Sequence, residues 1–168
     1  MQNRGKERAF RNVLPVIGEA TDMIHGYVVD ASVAVQWLAT YNEHSLKQAY
    51  EVLRGALEKN YVLMAPDFLL HEVSNALVRG KKLRGKSLER SLDVFFFLPL
   101  TYFRVTNELV ASASLLAAEY SLPVYDALYC ALALERHAPL ITGTIRHQGR
   151  VRGLAVIDIN DWQNHSTK

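Results

Sequence analysis

Three carboxylates far apart in the chain, Asp30, Glu72 and Asp126, are the residues whose placement could do chemistry. Asp30 follows the apolar run Tyr27-Val28-Val29, Glu72 lies in the second turn of a helix leaving the next strand, and Asp126 opens a helix feeding a later strand through a tight turn at Ala138-Pro139. In open parallel sheets, ligands bind outside the carboxyl ends of the strands. The helix opened by Asp126, ~18 Å long at 1.5 Å per residue, must run antiparallel to the strand it feeds, so its first turn returns to that edge. Carboxylates brought together there repel one another unless a cation or shared protons offset them. Oxygen donors without soft partners point to Mg²⁺ or Mn²⁺. An ion held by few carboxylates keeps positions open for phosphate oxygens, which is what metal-assisted phosphodiester hydrolysis requires.

Each acid also has a purely structural reading. Asp30 could cap the helix that follows it, and Asp126 could be a favourable anion at a helix N-terminus. Glu72 lies between Leu69 and Ala76 on the border of an apolar stripe, where a lone carboxylate is costly. Other chemistries lack their residues. No GxGxxG follows the first strand, there is no P-loop, and the six histidines form no HxxxH pair. Cys130, the single cysteine, sits among Ala131, Leu132 and Ala133 and reads as a buried, inert thiol.

The elements that must position the acids can be read in order. Strands are expected at 27–29, 61–65 (stopped by Pro66), 102–105, 140–142 and 156–159. Helices are expected at 32–41, 45–60, 67–77 (capped by Asp67), 85–97, 107–119 and 125–137. Ser45 with Gln48 forms a capping box. Strands alternating with helices imply an α/β chain: a three-layer α/β/α fold with a central, mostly parallel sheet. Residues 1–22, with Arg4, Lys6, Arg8 and Arg11 and a short apolar stretch broken by Pro15, read as a basic extension. The main domain is expected over 23–162 and a tail over 163–168. Met23 offers a second start.

Composition sets the outer bounds. The 168 residues carry 19 Lys and Arg against 17 Asp and Glu, a net charge of +2 that does not by itself announce a nucleic-acid partner. With 49% hydrophobic and 21% charged residues the chain reads as globular rather than disordered or fibrous. No apolar run approaches the ~20 residues of a membrane span. One cysteine excludes an internal disulfide, and a cytoplasmic location is expected.

Three segments carry a family resemblance: Val29-Asp30-Ala31-Ser32, the run from Ala65-Pro66-Asp67 through His71-Glu72-Val73 to Ala76-Leu77, and Leu122-Pro123-Val124-Tyr125-Asp126-Ala127-Leu128-Tyr129. Together, and in this order, they resemble PIN-domain proteins of the VapC toxin type over about residues 23–162. The resemblance implies a Mg²⁺-dependent endoribonuclease (Mn²⁺ as the alternative ion), homodimeric and held inactive by a partner antitoxin. It implies Asp30, Glu72 and Asp126 as catalytic metal ligands, with Ser32 and Thr142 in support. It also implies products with a 5′-phosphate and a 3′-hydroxyl. Where the family usually places a further Asp, two residues past Thr142, this chain has Thr144. A hydroxyl reaches a metal-bound water but brings no charge, so the site carries three formal negatives rather than four. Hence the alternative: a catalytically impaired PIN fold acting as an RNA- or protein-binding module. A DNA-directed nuclease is a third reading.

RNA contacts are expected from two basic clusters, Arg146, Arg150 and Arg152 just past the site, and Lys81, Lys82 and Arg84 in a turn. The run Phe95-Phe96-Phe97 could stack on single-stranded RNA, although core or subunit interface is the more ordinary use of such a run.

Overall fold

The computed structural model describes residues 25–38 and 46–163. The expected N-terminal extension, the Ser45 capping box and the tail beyond Gln163 lie outside the described residues. Five strands, β1 (Gly26–Val29), β2 (Val62–Pro66), β3 (Leu100–Phe103), β4 (Leu140–Thr142) and β5 (Val156–Asp158), form one parallel sheet in the order β3-β2-β1-β4-β5. Burial on both faces explains why β1 and β4 read as unbroken apolar runs rather than as alternation. Helices flank the sheet, giving the expected α/β/α layers.

The chain leaves β1 for α1 (Ala31–Ala34) and a 3₁₀ turn (Val35–Leu38), then α2 (Leu46–Leu57). β2 is followed by α3 (Leu69–Asn75), which runs into a π-helical turn (Ala76–Gly80). α4 (Gly85–Phe96) leads into β3, and α5 (Asn107–Tyr120) and α6 (Val124–Glu135) pack on each other, with α6 against β1 and β2. α7 (Ile145–Gln148) follows β4, and a 3₁₀ turn (Ile159–Asp161) follows β5.

The chain builds β2 and β3 outward on one side of β1, then returns to add β4 and β5 on the other. The carboxyl ends of β1 and β4 therefore form a topological switch point, where adjacent connections diverge and leave a crevice.

Several sequence expectations are corrected. The first helix is a single α turn passing into 3₁₀ rather than a helix over 32–41; residues past 38 lie outside the described set. The second ends at Leu57, three residues early. β3 lies two residues upstream of the expected 102–105, because the ladder with β2 runs from Leu63↔Leu100 to Pro66↔Phe103. Pro66 is thus the last paired residue of β2 rather than its stop. Asp67 does not cap α3. Its backbone N–H continues the ladder to the Phe103 carbonyl (2.8 Å), and its side chain accepts from the Val105 N–H (3.1 Å), tying the ends of β2 and β3 together.

The core holds Val28, Val29, Leu63, Leu132 and Ile141, all essentially inaccessible. Tyr27, Tyr61 and Trp162 form an edge-to-face cluster, with centroids of 5.0 Å for Tyr27–Tyr61 and 5.2 Å for Tyr27–Trp162. The Tyr61 hydroxyl crosses over Gly55 to donate to the Val52 carbonyl (2.8 Å).

Candidate metal and phosphate site

Asp30 leaves the sheet at the switch point and is buried, 4% exposed as a residue. Its Oδ1 accepts from the Ser32 hydroxyl (2.5 Å) and the Val33 N–H (3.2 Å), so it does cap α1. Its Oδ2 accepts from the Thr142 hydroxyl (2.6 Å), with the Gln148 amide nitrogen at 3.5 Å. The structural and the functional readings of Asp30 thus coexist: Oδ1 is spent on α1, while Oδ2 has the fewer close donors. Burial raises its pKa, opposed by these hydrogen bonds.

Ser32 and Thr142 close a circuit between α1 and the end of β4. The Ser32 hydroxyl accepts from the Gly143 N–H (2.7 Å), and the Thr142 hydroxyl accepts from the Thr144 N–H (2.9 Å). Gly143 eases this approach, since a Cβ there would stand 3.0 Å from the Ser32 hydroxyl oxygen. Thr144 is exposed, with its hydroxyl 3.3 Å from that of Thr142, and supplies no charge.

Glu72 faces the crevice from the first turn of α3 and accepts a hydrogen bond from the Tyr129 hydroxyl of α6. Tyr129 is buried; desolvation, then Glu72, push its pKa far up, so it acts as a donor. Asp126 is half-buried in the first turn of α6. The pKa of Glu72 is raised by burial and then by Asp30 and Asp126, and that of Asp126 by burial and then by Asp30. Asp30 thus acts through space on both Glu72 and Asp126, and Asp126 on Glu72. Among the described residues, His147 is the one side chain whose charge lowers any of them, and it acts on Asp126. An open cleft of ≈ 330 Å³, lined by Ala31, Ser32, Val35, Glu72, Asn75 and Ala76, adjoins them.

Hard oxygen donors, uncompensated negative charge and an adjoining cleft fit a divalent cation. The buried side-chain oxygens of Gln36 and Gln148 add two uncharged hard oxygens without a hydrogen-bond partner; Gln148 is beside Asp30, while the Gln36 amide nitrogen donates to the Ser32 carbonyl (3.1 Å). Among the described residues no three His, Cys, Asp or Glu converge closely enough to ligate one ion together.

The remaining expected residues fall in three places. Arg146 is exposed on α7, beside the rim, and Arg150 is exposed in the turn after it. Arg152 leans toward Glu119 (4.0 Å). Lys81, Lys82 and Arg84 follow the π-helical turn, roughly 18 Å along α3 from its start at the rim. The Arg84 guanidinium donates to the carbonyls of Val78 (2.8 Å) and Leu83 (2.6 Å). The structure does not bring this cluster to the acids. Phe95 is core, while Phe96 and Phe97 are exposed where α4 enters β3, at the amino edge of the sheet opposite the acids. Burial pushes the Cys130 thiol up to about 12, in keeping with an inert role. The spacing of Tyr125 and Tyr129 one helical turn apart on α6 was the sequence signal for Tyr129; Gln148 had none.

The sequence matches the PIN domain family over residues 27–148. No curated protein matches the chain at the level of sequence. Similar solved structures include a VapBC2 complex from Rickettsia felis bound to a DNA fragment from its promoter, with TM-score 0.62 and 18% identity, covering 79% of this chain and 97% of that one. DNA-bound VapBC from Salmonella typhimurium has TM-score 0.60 and 15% identity, over 80% and 98% of the two chains. The sarcin–ricin-loop-cleaving toxin VapC20 of Mycobacterium tuberculosis has TM-score 0.58 and 15% identity, over 77% and 96%. At such identities these structures establish the shared fold.

Proposed function

The chain belongs to the PIN domain family, and from that premise we propose that it is a Mg²⁺-dependent endoribonuclease of the VapC toxin type, restrained by an antitoxin protein. The observation that carries the reading is that Asp30, Glu72 and Asp126 lie near the carboxyl edge of the sheet, close enough for Asp30 to raise the other two, with no Lys or Arg among the charges that shift them. Two of the similar structures are toxin–antitoxin complexes, which supports the partner, and a third is an RNA-cleaving toxin, which supports the substrate.

A bound Mg²⁺ would supply an activated water and neutralise charge on the scissile phosphate. Asp30 and Asp126 would hold it, with Glu72 completing the acidic field. Ser32 and Thr142 fix the Asp30 carboxylate through short hydrogen bonds, so Oδ2 needs no reorganisation to meet a cation. Tyr129 fixes Glu72 in the same way. Arg146, at the rim, would contact the neighbouring phosphate. Glu72, raised by burial and then by Asp30 and Asp126, would take a proton from the attacking water.

Incubation with RNA in Mg²⁺ tests the reading. Cleavage should vanish in EDTA and in Asp30→Asn, and persistence in both would sink the assignment. The exposed Thr144 favours the second reading, an impaired fold retained for binding. Thr144→Asp distinguishes the two: a large gain in cleavage over a nearly silent wild type supports the impaired fold, whereas efficient wild-type cleavage removes it.

A further inference from the structure

α7 is a single turn, and of its four residues only Gln148 is turned inward. Ile145, Arg146 and His147 are exposed, whereas Gln148 is 1% exposed. An apolar side chain would fill that place without electrostatic cost, while a buried carboxamide needs a partner at each end. Its Nε2 stands 3.5 Å from Asp30 Oδ2, at the outer limit of a hydrogen bond, and its Oε1 has no hydrogen-bond partner among the described residues. The two oxygens of Asp30 differ to match. Oδ1 is held by Ser32 and Val33, and Oδ2 closely by Thr142 alone (2.6 Å). Gln148 therefore lies beside the carboxylate oxygen that has room for a further partner.

We propose that Gln148 is a positioning residue for the divalent cation at Asp30, its carbonyl oxygen accepting from water in the ion's shell while its amide nitrogen faces Oδ2. The inference rests on the reading above that a cation binds at Asp30, and it adds an uncharged residue to that site. A hard divalent ion keeps part of its water shell, and those waters are strong, polarised donors. Oε1 gains from one of them the partner it lacks within the protein. Nitrogen and oxygen belong to one planar carboxamide, so an ion on Oδ2 has that oxygen close by. Being neutral, the carboxamide serves the ion without adding to the repulsion that Asp30 and Asp126 already exert on Glu72. Gln36, the other buried glutamine, differs: its Nε2 is committed to the Ser32 carbonyl of its own helical segment (3.1 Å) and faces no carboxylate.

Two substitutions on the full chain test it. Gln148→Met keeps the length and burial of the side chain and removes both polar ends, whereas Gln148→Glu keeps the shape and adds a charge. Mg²⁺ affinity, measured by calorimetry at pH 7, should fall roughly 10-fold in Gln148→Met, the lower end for a residue that holds a metal site from behind its ligands. In Gln148→Glu it should rise above wild type. In EDTA the same Gln148→Glu protein should melt below wild type, because a second carboxylate is forced on Asp30, so its Mg²⁺-dependent rise in melting temperature should exceed the wild-type rise. A residue that only fills space would shift melting in EDTA and leave the three affinities equal. The side-chain amide resonances of Gln148, assigned by their absence in Gln148→Met, should move over the same Mg²⁺ range in ¹⁵N NMR spectra. Unaltered affinity in Gln148→Met, a folded Gln148→Glu that binds no tighter than wild type, or amide resonances indifferent to Mg²⁺ would overturn the proposal. If Gln148→Glu does not fold, Gln148→Met and the resonances decide. Graded Mg²⁺ affinity without RNA cleavage would keep Gln148 in this role and overturn the nuclease reading. Mg²⁺-dependent cleavage with affinity indifferent to Gln148→Met would do the reverse.

Discussion

At the scale of the residue, the site depends on how few atoms hold each carboxylate. Thr142 is inaccessible, and its hydroxyl is the one close donor to Asp30 Oδ2. Thr142→Val keeps the shape and removes the hydrogen bond, leaving a buried charged oxygen poorly satisfied. The expected cost is about 1–3 kcal/mol in urea denaturation, together with weaker Mg²⁺ binding by calorimetry. An unchanged midpoint would mean that Gln148 compensates. Glu72 gives a pH-dependent prediction. Burial and the neighbouring acids raise its pKa in the folded state. The fold therefore favours the protonated form: that stability is fully present below the unfolded pKa and is lost as pH rises through the folded one. In EDTA, Glu72→Gln should stabilise the protein at pH 7, and the gain should shrink as pH falls into the ordinary carboxylate range. A gain independent of pH would point to packing instead.

At the scale of the element, the site is a meeting of helix starts and strand ends held by close backbone approach. Gly143 lets the turn after β4 come against α1, where a Cβ would sit 3.0 Å from the Ser32 hydroxyl. Gly143→Ala should press the Ser32 side chain back by a few tenths of an ångström, loosening the Gly143–Ser32 bond and the hold of the Ser32 hydroxyl on Asp30. A fall in melting temperature together with a several-fold loss of Mg²⁺ affinity is expected. Gly55→Ala, where the new Cβ would collide with the Tyr61 ring, should lower the melting temperature while leaving Mg²⁺ affinity intact. Equal effects of the two substitutions on metal binding would deny Gly143 its local role. Much of this level was legible beforehand, because strands buried on both faces read as apolar runs. The Asp67 cap failed because a local pattern cannot show that β3 lies beside β2 and takes that carboxylate.

For the whole molecule, like charges near the switch point are a folding cost that the proposed cation would relieve. Saturation at a hundred times the dissociation constant stabilises the native state by about 2.7 kcal/mol. Mg²⁺ should therefore raise the melting temperature of wild type but not of the Asp30→Asn, Asp126→Asn double variant. An equal rise in both would place the ion elsewhere. The net charge of +2 conceals this polarity, with acids gathered at the carboxyl edge and Arg146 and Arg150 beside them.

The alternation of apolar strands and helices, and the places where Asp30, Glu72 and Asp126 leave those elements, were determined by sequence alone, because parallel topology sends such positions to one edge. Only the tertiary structure decided what surrounds them. It put Tyr129 on Glu72 and Gln148 beside Asp30, sent Lys81, Lys82 and Arg84 away from the rim, and stacked Phe68 between His71 and Tyr125. The reason is physical: periodicity reports which face of an element is buried, whereas contacts between elements depend on how the packed helices cross the sheet.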